Sequence, residues 1–430
     1  MTKTLDSVAT ESTIPESTAV VIIGGGIVGV SAALTLAERN VPVVLFEKGH
    51  IAGEQSSRNL GWVRKTSRHA EDIPMSQAAD RLWSEMPERV GREVGYKQCG
   101  IMFVSPTDAG VSVYEQWLES VQGLSLDSRL VTADEIDQLV PGGKGKWAGG
   151  VYTPSDAVAE PSLATSAIAE AAVRAGAKLI QGCAVRTLEQ SAGRVTGVVT
   201  ERGEIKCEQV LLAGGAWSRR FLGNLKVGLP MLPLVLSVLR TKPFDGPTDI
   251  AVGGPDFSFR KHRDGGFIIT QRGALEAPIL LDHLLIGMRY KHQLAANRQA
   301  MRIKVGKAFL EDLKLPRRWG ADSQSPFEQV RVMDPAVNEG LNAEAMTNLC
   351  NAWPVFTGAE IDEAWAGWID ITPDSLPVVD RVESIPGLTV ATGFSGHGFG
   401  TGPAAGQLAA DLVTSSTPLV DASPYRLDRF

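Results

Sequence analysis

The chain has few of the features that mark disulfide-rich, membrane-spanning or nucleic-acid-binding proteins. Its 430 residues include 4 cysteines, which share no CxxC or other metal-binding spacing, so we expect the reduced thiols of a cytoplasmic protein and no metal site. No apolar run reaches the roughly 18 to 20 residues of a membrane span, although peripheral contact with a membrane stays open. The 49 acidic and 42 basic residues give a net charge of −7, and no dense basic cluster suggests nucleic-acid binding.

The composition is that of an ordinary globular protein. The chain is 43% hydrophobic and 21% charged, and it is long enough for two or three domains with real cores. Residues 1–18 are polar, rich in serine and threonine, and without the apolar core of a signal peptide. We therefore expect a flexible tail there.

Residues 19–48 carry the clearest structural pattern. Residues 19–23 (AVVII) form an apolar run rich in β-branched residues, which is typical of a parallel strand buried on both faces. Apolar residues at helical spacing follow, and residues 41–46 (VPVVLF) predict a second strand. The pattern predicts a βαβ unit of the usual length of about 30 residues.

The turn inside this unit matches the dinucleotide-binding fingerprint. Gly24 permits a tight turn, Gly26 lets the backbone approach a pyrophosphate, and Gly29 lets helix and strand pack closely. Glu47, at the end of the second strand, can accept hydrogen bonds from an adenosine ribose and so disfavours NADP. The fingerprint alone leaves FAD and NAD open. Its position near the N-terminus, and a second glycine turn at Gly214 in LLAGGAW, favour FAD.

The remaining elements predict a nucleotide-binding domain assembled from separated segments. We expect helices at residues 75–95, 161–175 and 403–413, and strands at 101–105, 209–213 and 388–392. Residues 226–300 are punctuated by prolines and short alternating strands, which is typical of an antiparallel sheet. We assign residues 19–95, 155–225 and 346–430 to a Rossmann-type α/β domain, and residues 96–154 and 226–345 to an α+β substrate domain with a mainly antiparallel sheet.

Three further segments resemble the D-amino-acid oxidase family in its broad sense. They are residues 51–64 (IAGEQSSRNLGWVR), 365–380 (WAGWIDITPDSLPVVD) and 387–413 (GLTVATGFSGHGFGTGPAAGQLAADLV). The family includes sarcosine and glycine oxidases, D-amino-acid and hydroxyproline dehydrogenases, and L-amino-acid deaminases. The resemblance implies an FAD-binding domain and FAD-dependent oxidation of a C–N bond in an amino acid or related amine.

The fingerprint and the resemblance together imply a set of cofactor contacts from end to end of the chain. The set comprises Gly24, Gly26, Ile27, Val28, Gly29, Glu47, Lys48, Ser56, Ser57, Arg58, Asn59, Gly61, Val185, Gly214, Trp217, Gly393, Gly396, His397, Gly398, Phe399 and Gly400. The glycine-rich run at 393–400 precedes the helix expected from Pro403, whose N-terminus would stabilise negative charge on a reduced flavin.

Two departures from the family pattern are visible. Many members carry an arginine where this chain has Ile369, so no substrate-binding role is carried over from that arginine. Cys350 lies in the region where monomeric sarcosine oxidases bear a flavin-linking cysteine, but its surroundings do not match that motif. We therefore expect a structural thiol and non-covalent FAD.

The reaction implied by the resemblance is hydride transfer from the carbon next to a neutral amine to flavin N5, which leaves an imine for water to hydrolyse. Arg260 and Arg289 are the candidates for binding a substrate carboxylate, because an arginine fork binds it bidentately. Arg260 is favoured because its strand resembles the carboxylate-binding strand of the deaminases, and solvation at the surface is the alternative for both arginines. His397 is the candidate catalytic histidine, and hydrogen bonding to the flavin suits it better than an obligatory role as base. Tyr290 and Trp368 are candidate walls of the substrate pocket, with a place in the core as the alternative.

Several readings stay open at this point. The acceptor of the electrons is oxygen or a quinone, and a homo-oligomer is possible. A nicotinamide-dependent dehydrogenase and a non-catalytic or electron-relay FAD subunit of a larger amine or opine dehydrogenase complex are the competing functions. Substrate identity and chirality are beyond these patterns.

Overall fold

The computed structural model describes residues 5–296 and 300–430. Its strands are β1 Val20–Ile23, β2 Val43–Phe46, β3 Trp62–Val63, β4 Lys97–Gln98, β5 Ile101–Ser105, β6 Arg129–Val131, β7 Gly149–Thr153, β8 Ala157–Val158, β9 Lys178–Ile180, β10 Val185–Ser191, β11 Arg194–Thr200, β12 Gly203–Lys206, β13 Gln209–Leu212, β14 Leu232–Thr241, β15 Ala251–Gly253, β16 Ser258–Lys261, β17 Phe267–Thr270, β18 Leu275–Pro278, β19 Met301–Lys304, β20 Ile361–Ile371, β21 Val378–Arg381 and β22 Leu388–Thr392. Its α-helices are α1 Ile27–Glu38, α2 Ile73–Val90, α3 Asp108–Ser120, α4 Ala133–Leu139, α5 Pro161–Arg174, α6 Ser218–Asn224, α7 Leu281–Ile286, α8 Lys291–Ala296, α9 Lys307–Lys314, α10 Pro326–Gln329, α11 Glu339–Ala352 and α12 Gly398–Thr414. Within the described ranges, no helix combines the length and apolarity needed to cross a bilayer.

The first domain is built on a six-stranded sheet in the order β21-β22-β13-β1-β2-β9. All neighbours are parallel except β21, which runs antiparallel to β22. Helices α1, α5 and α12 contribute to one hydrophobic core beside this sheet, and a three-stranded sheet (β10-β11-β12) contributes to a second core. The expected Rossmann-type α/β architecture from discontinuous segments is confirmed, because these strands come from both ends and the middle of the chain.

The second domain is built on a ten-stranded, mainly antiparallel sheet. Its strands follow the order β19-β18-β14-β17-β16-β15-β5-β7-β6, and β20 pairs with β14. An aromatic core covers it, in which Phe259 and Phe267 pack around Phe356. Short strands β3, β4 and β8 form a small third sheet. The expected α+β substrate domain is present.

The domain boundary expected at residue 346 is wrong. Strand β20 pairs with β14 from Leu232 opposite Ile371 to Thr241 opposite Ile361, so it belongs to the large antiparallel sheet. Helix α11 packs on the same sheet through Leu349. The physical reason is that β20 forms hydrogen bonds along ten residues of β14. The paired residues are 120 to 139 positions apart in the sequence, so local patterns do not reveal the pairing.

From residue 5 onward, where the structure describes it, the N-terminal segment is packed against the first domain and is not the expected flexible tail. Val8 is buried, the Glu11 N–H donates to the Leu179 carbonyl at 2.7 Å, and the Lys206 N–H donates to the Glu16 carbonyl at 3.0 Å. This polar segment lies along the first domain because the backbone N–H and C=O groups of that domain form hydrogen bonds with the backbone of the segment. Residues 1–4 lie outside the described ranges.

The last helix begins earlier than expected. Helix α12 starts at Gly398, and Pro403 lies inside it, whereas the proline pattern predicts a start at residue 403. Pro403 is the sixth residue of the helix, so its missing N–H removes the hydrogen bond that residue 403 would otherwise donate to the Phe399 carbonyl. The helix N-terminus therefore lies within the glycine-rich run itself.

Candidate active site

A cavity of about 350 Å³ lies where the two domains meet. The carboxyl ends of β1, β2 and β13 reach it through Ile23, Phe46 and Leu212, which is where open α/β sheets bind their ligands. The second domain closes it with Leu236 on β14 and with residues 367–370 on β20.

The glycine turn before α1 forms one wall of the cavity. Gly24 has a φ of +114°, and a Cβ there would lie 2.4 Å from the Ala213 carbonyl oxygen. A Cβ on Gly29 would lie 2.1 Å from the Gly24 carbonyl oxygen. Both positions thus require glycine for the close approach of strand and helix. The Ile27 N–H at the helix start donates to Ser56 Oγ at 2.8 Å.

Glu47 shapes the next part of the wall. Its carboxylate accepts from the N–H groups of Gly25 and Gly49, each at 2.7 Å. Burial raises its pKa, while Lys48 and these two N–H groups oppose the rise. An ionised carboxylate has about four acceptor positions, so Glu47 can still accept from ribose hydroxyls.

A hydrogen-bonded hub around Glu54 holds the adjacent wall. Lys48 Nζ lies 2.6 Å from Glu54 Oε1 and 4.7 Å from the centre of the Trp217 ring. Trp217 Nε1 donates to Glu54 Oε1 at 3.1 Å, and the Met333 N–H donates to the same oxygen at 2.9 Å. Glu54 was not expected from the sequence; its role shows only once its partners are brought together.

Most of the expected cofactor residues line this cavity. They are Gly24, Gly26, Ile27, Val28, Glu47, Lys48, Ser56, Arg58, Asn59, Gly61, Val185, Gly214, Trp217, Gly396, His397, Gly398, Phe399 and Gly400. Gly29, Ser57 and Gly393 do not. Gly29 packs helix against strand, the Ser57 hydroxyl bonds to the Glu54 carbonyl at 3.3 Å, and the Gly393 N–H donates to Asp370 Oδ2 at 3.0 Å.

Asp370 and Gln55 were missed by the sequence analysis. Asp370 is 2% exposed, and burial raises its pKa. It accepts from Gln55 Nε2 at 3.0 Å, and Gln55 Oε1 in turn accepts from the Ala216 N–H at 3.0 Å. Asp370 therefore connects β20, the loop at residues 55–61 and the turn at Gly393. The sequence feature that could have indicated Asp370 is its position next to Ile369, where many family members carry an arginine.

The N-terminus of α12 points its free N–H groups at the other end of the cavity. His397 is the N-cap residue, and its side chain makes no capping hydrogen bond to the helix. His397 Nε2 lies 3.0 Å from Arg64 Nη2. Burial, Arg68 and Arg64 hold the pKa of His397 well below its usual value. The ring is therefore neutral, and Nε2 is an acceptor because a guanidinium can only donate.

Arginines dominate this end of the cavity. Arg64 and Arg68 line it, and Arg272 stands 4.1 Å from the centre of the Phe103 ring, which Arg64 also faces at 5.4 Å. Burial and the neighbouring Arg272 lower the pKa of Arg64 to about 10. Arg68 pairs with Asp72, whereas no carboxylate in the described ranges lies within ion-pair distance of Arg64. These arginines were not among the expected residues.

The expectation that Arg260 binds a substrate carboxylate is wrong. Arg260 is 1% exposed and does not line the cavity. Its Nη1 and Nη2 atoms lie 2.7 and 2.8 Å from the two oxygens of Glu160, and its Nε donates to the Leu60 carbonyl. A guanidinium held by this bidentate pair has no free fork for a substrate.

The other expected substrate residues divide. Trp368 lines the cavity. Arg289 is exposed on the surface and does not line the cavity. Tyr290 is buried, and its hydroxyl donates to the Ile371 carbonyl at 2.7 Å, so it supports β20 from outside the cavity. Cys350 is a free thiol on α11 beside the aromatic core, and it does not line the cavity either.

Comparison with known proteins identifies the family. The model of the FAD dependent oxidoreductase family (DAO) matches residues 19–412. The chain belongs to this family. FAD is therefore its cofactor rather than NAD, and the expected membership in the D-amino-acid oxidase superfamily is confirmed.

Individual relatives extend the likeness over the whole chain. The structure of L-amino acid deaminase from Proteus myxofaciens in complex with anthranilate is 31% identical, with a TM-score of 0.95 over 99% of this chain and 96% of that chain. Sarcosine oxidase subunit beta from Arthrobacter sp is 23% identical over 96% of this chain and 90% of its own length. The 4-methylaminobutanoate oxidase of Paenarthrobacter nicotinovorans is 23% identical over 97% of this chain, which spans 46% of that longer enzyme.

The residues present fit FAD. The glycine turn and the start of α1, where the N-cap residue Gly26 has no side chain to cap the helix, suit a pyrophosphate, and Glu47 suits the ribose. The Nε atom of Arg58, buried and without a hydrogen-bond partner, is a free donor in the same wall. The start of α12 would then lie beside the flavin, where its positive end favours the reduced, negatively charged form.

Proposed function

We propose that this FAD-dependent oxidoreductase oxidises the C–N bond of an amino acid or a related amine that carries a carboxylate. The bound flavin supplies the acceptor for the hydride on the carbon next to nitrogen, and water hydrolyses the resulting imine. The observation that carries the proposal is the cationic end of the cavity, which Arg64 and Arg68 line and where Arg272 is a charged neighbour of Arg64.

The charge of Arg64 supports a carboxylate there. Its side-chain donors reach the Thr66 carbonyl and His397 Nε2, both neutral acceptors. A half-buried cation without a counter-ion is costly, and the lowered pKa of Arg64, about 10, reflects that cost. A substrate carboxylate would offset it. The deaminase of similar structure holds anthranilate, itself a carboxylate.

His397 is proposed as a positioning residue. Its neutral ring accepts from Arg64 Nη2, so it directs the guanidinium into the cavity and its accepting nitrogen is occupied. It is then not the base that removes the amine proton; solvent can do so before the substrate binds. Trp368 and Trp62, both lining the cavity, would exclude water around the reacting carbon.

Anaerobic mixing of the purified holoprotein with a panel of D- and L-amino acids, N-methyl amino acids and amines tests the proposal. We expect loss of flavin absorbance near about 450 nm with at least one carboxylate-bearing amine and not with its decarboxylated counterpart. Faster reduction by plain amines would refute the carboxylate assignment. A flavin that none of them reduces would favour a non-catalytic or electron-relay FAD subunit.

The electron acceptor is proposed to be oxygen or a quinone. Admitting air to the reduced protein distinguishes them, because an oxidase recovers its absorbance within its turnover time and a dehydrogenase does so only when a quinone is added.

A further inference from the structure

A segment between helices α9 and α11 forms part of the cavity wall at the Glu47 end. Residues 325–334 pack against the second hydrophobic core of the first domain, in which Phe327 is buried. Phe327 and Val332 also line the cavity. The Phe327 ring stands edge-on to that of Trp217, another cavity residue, with 5.6 Å between the ring centres. A segment that belongs to neither large sheet therefore encloses part of the FAD cavity.

The residue after Glu47 holds this segment by its backbone. Lys48 Nζ donates to the carbonyls of Val330 and Arg331 at 3.0 and 2.8 Å. The Arg331 guanidinium donates in return to the Lys48 carbonyl at 3.1 Å. It also binds both carboxylate oxygens of Glu201, each at 2.5 Å. The segment is thus fixed directly beside the acid that suits the ribose of FAD.

A second ion pair fixes helix α10 at the start of the segment. Arg186 on β10 donates to the two oxygens of Glu328 at 2.9 Å each. Burial opposes ionisation of Glu328, but hydrogen bonds from Arg186 and Ser325 lower its pKa to about 2. The pair is therefore charged at neutral pH. The side chains of Arg186 and Arg331 are 20% and 38% exposed, so salt can screen both pairs.

The backbone of the segment has no such anchors in the described ranges. Its backbone–backbone hydrogen bonds there are internal, from the Glu328 N–H to the Ser325 carbonyl at 3.2 Å and from the Val330 N–H to the Pro326 carbonyl at 3.0 Å. No strand of the described ranges pairs with it. Contacts that involve side chains hold it in place, so it can open without breaking either sheet.

We propose that residues 325–334, the latch, contact the adenosine half of bound FAD and open when the cofactor enters or leaves. Phe327 and Val332 provide the contact with FAD. The ion pairs of Glu328 and Arg331 hold the latch closed and so set the rate at which FAD is released. The inference rests on FAD being the cofactor, and it is independent of the substrate proposed above.

Exchange of bound FAD for excess radiolabelled FAD tests the inference on the holoprotein. Arg331→Met and Glu328→Gln should each raise the exchange rate about two- to fivefold, the range for one partly exposed ion pair, and together about tenfold. Added salt should speed exchange in the wild type and have less effect in the double variant. Arg89→Met is the matched control, because it removes a pair with Glu38 at 2.6 Å outside the cavity, and it should leave the rate unchanged.

A third substitution distinguishes the latch from a general loss of stability. Arg331→Met should speed exchange no further in a Glu201→Gln background, because both changes remove the same pair. Hydrogen exchange of residues 325–334 in the holoprotein should be faster in the double variant, whereas that of β1 should not change. Wild-type FAD exchange that does not respond to salt would overturn the inference. So would equal rates in the wild type and the double variant, or an increase for Arg89→Met as large as for Arg331→Met.

Discussion

Replacing Arg64 by methionine should separate carboxylate recognition from the rest of catalysis. Losing one partner of a desolvated charge pair costs about 2 to 5 kcal/mol. Because Arg68 would still line the same end of the cavity, we expect the lower part of that range, about 2 to 3 kcal/mol. At 1.4 kcal/mol per factor of ten, kcat/KM for an amino acid substrate should fall about 30- to 150-fold. The variant should fold as well as the wild type, because the lost charge has no counter-ion in the described ranges.

The assay compares each amino acid with its decarboxylated amine at equal FAD content. Arg64→Met should lower kcat/KM for the amino acid and leave that for the amine unchanged, since only the amino acid contacts the guanidinium. Arg289→Met is the control, because Arg289 is exposed and outside the cavity. An equal loss on both substrates, or a loss for Arg289→Met as large as for Arg64→Met, would refute the assignment.

Three further predictions follow from buried groups. Glu160→Gln should cost about 3 to 5 kcal/mol in urea unfolding by leaving Arg260 unpaired, and Glu160→Leu with Arg260→Met should recover most of it; additive losses would contradict this. Gly29→Ala should yield colourless apoprotein, since its Cβ would lie 2.1 Å from a backbone oxygen, whereas Gly228→Ala, with open space, should keep its FAD. Folding lowers the pKa of His397, so below about pH 6.5 the unfolded chain binds a proton that the folded chain does not. The free energy of unfolding of the wild type should therefore decrease as the pH is lowered through this range. His397→Asn should flatten the fall in melting temperature between pH 7 and 5, and an unchanged slope would count against a buried neutral ring.

The dinucleotide half of the site was predictable because its determinants are local. A strand, a glycine turn, a helix and a terminal acid follow one another within about 30 residues, and each constrains the backbone directly. Gly24 and Glu47 therefore stand where their spacing predicts. The flavin-side glycines of residues 396–400 were found for another reason: the resemblance to a family supplied their place in the fold.

The domain boundary was not predictable from the same patterns. The sequence of strand β20 (IDEAWAGWIDI) mixes acidic and apolar residues and is compatible with either sheet, so only its pairing with β14 decides between them. Register and partner choice depend on which faces become buried together, which no single segment encodes. Asp370 was missed for this reason, since it links two elements of the first domain from a strand of the second.

The choice among arginines shows what separates a structural cation from a functional one. Arg260 lies on a strand of the substrate sheet, as a carboxylate-binding residue would, but its charge is neutralised by Glu160, 100 residues earlier in the chain. Arg64 ends the very loop that the resemblance places beside the flavin, and it is half-buried without a carboxylate partner in the described ranges. Burial is costly for both charges. Glu160 offsets the cost for Arg260, whereas the cost for Arg64 is left for a ligand to offset. The useful criterion is therefore the missing counter-ion rather than the strand, and it requires the fold.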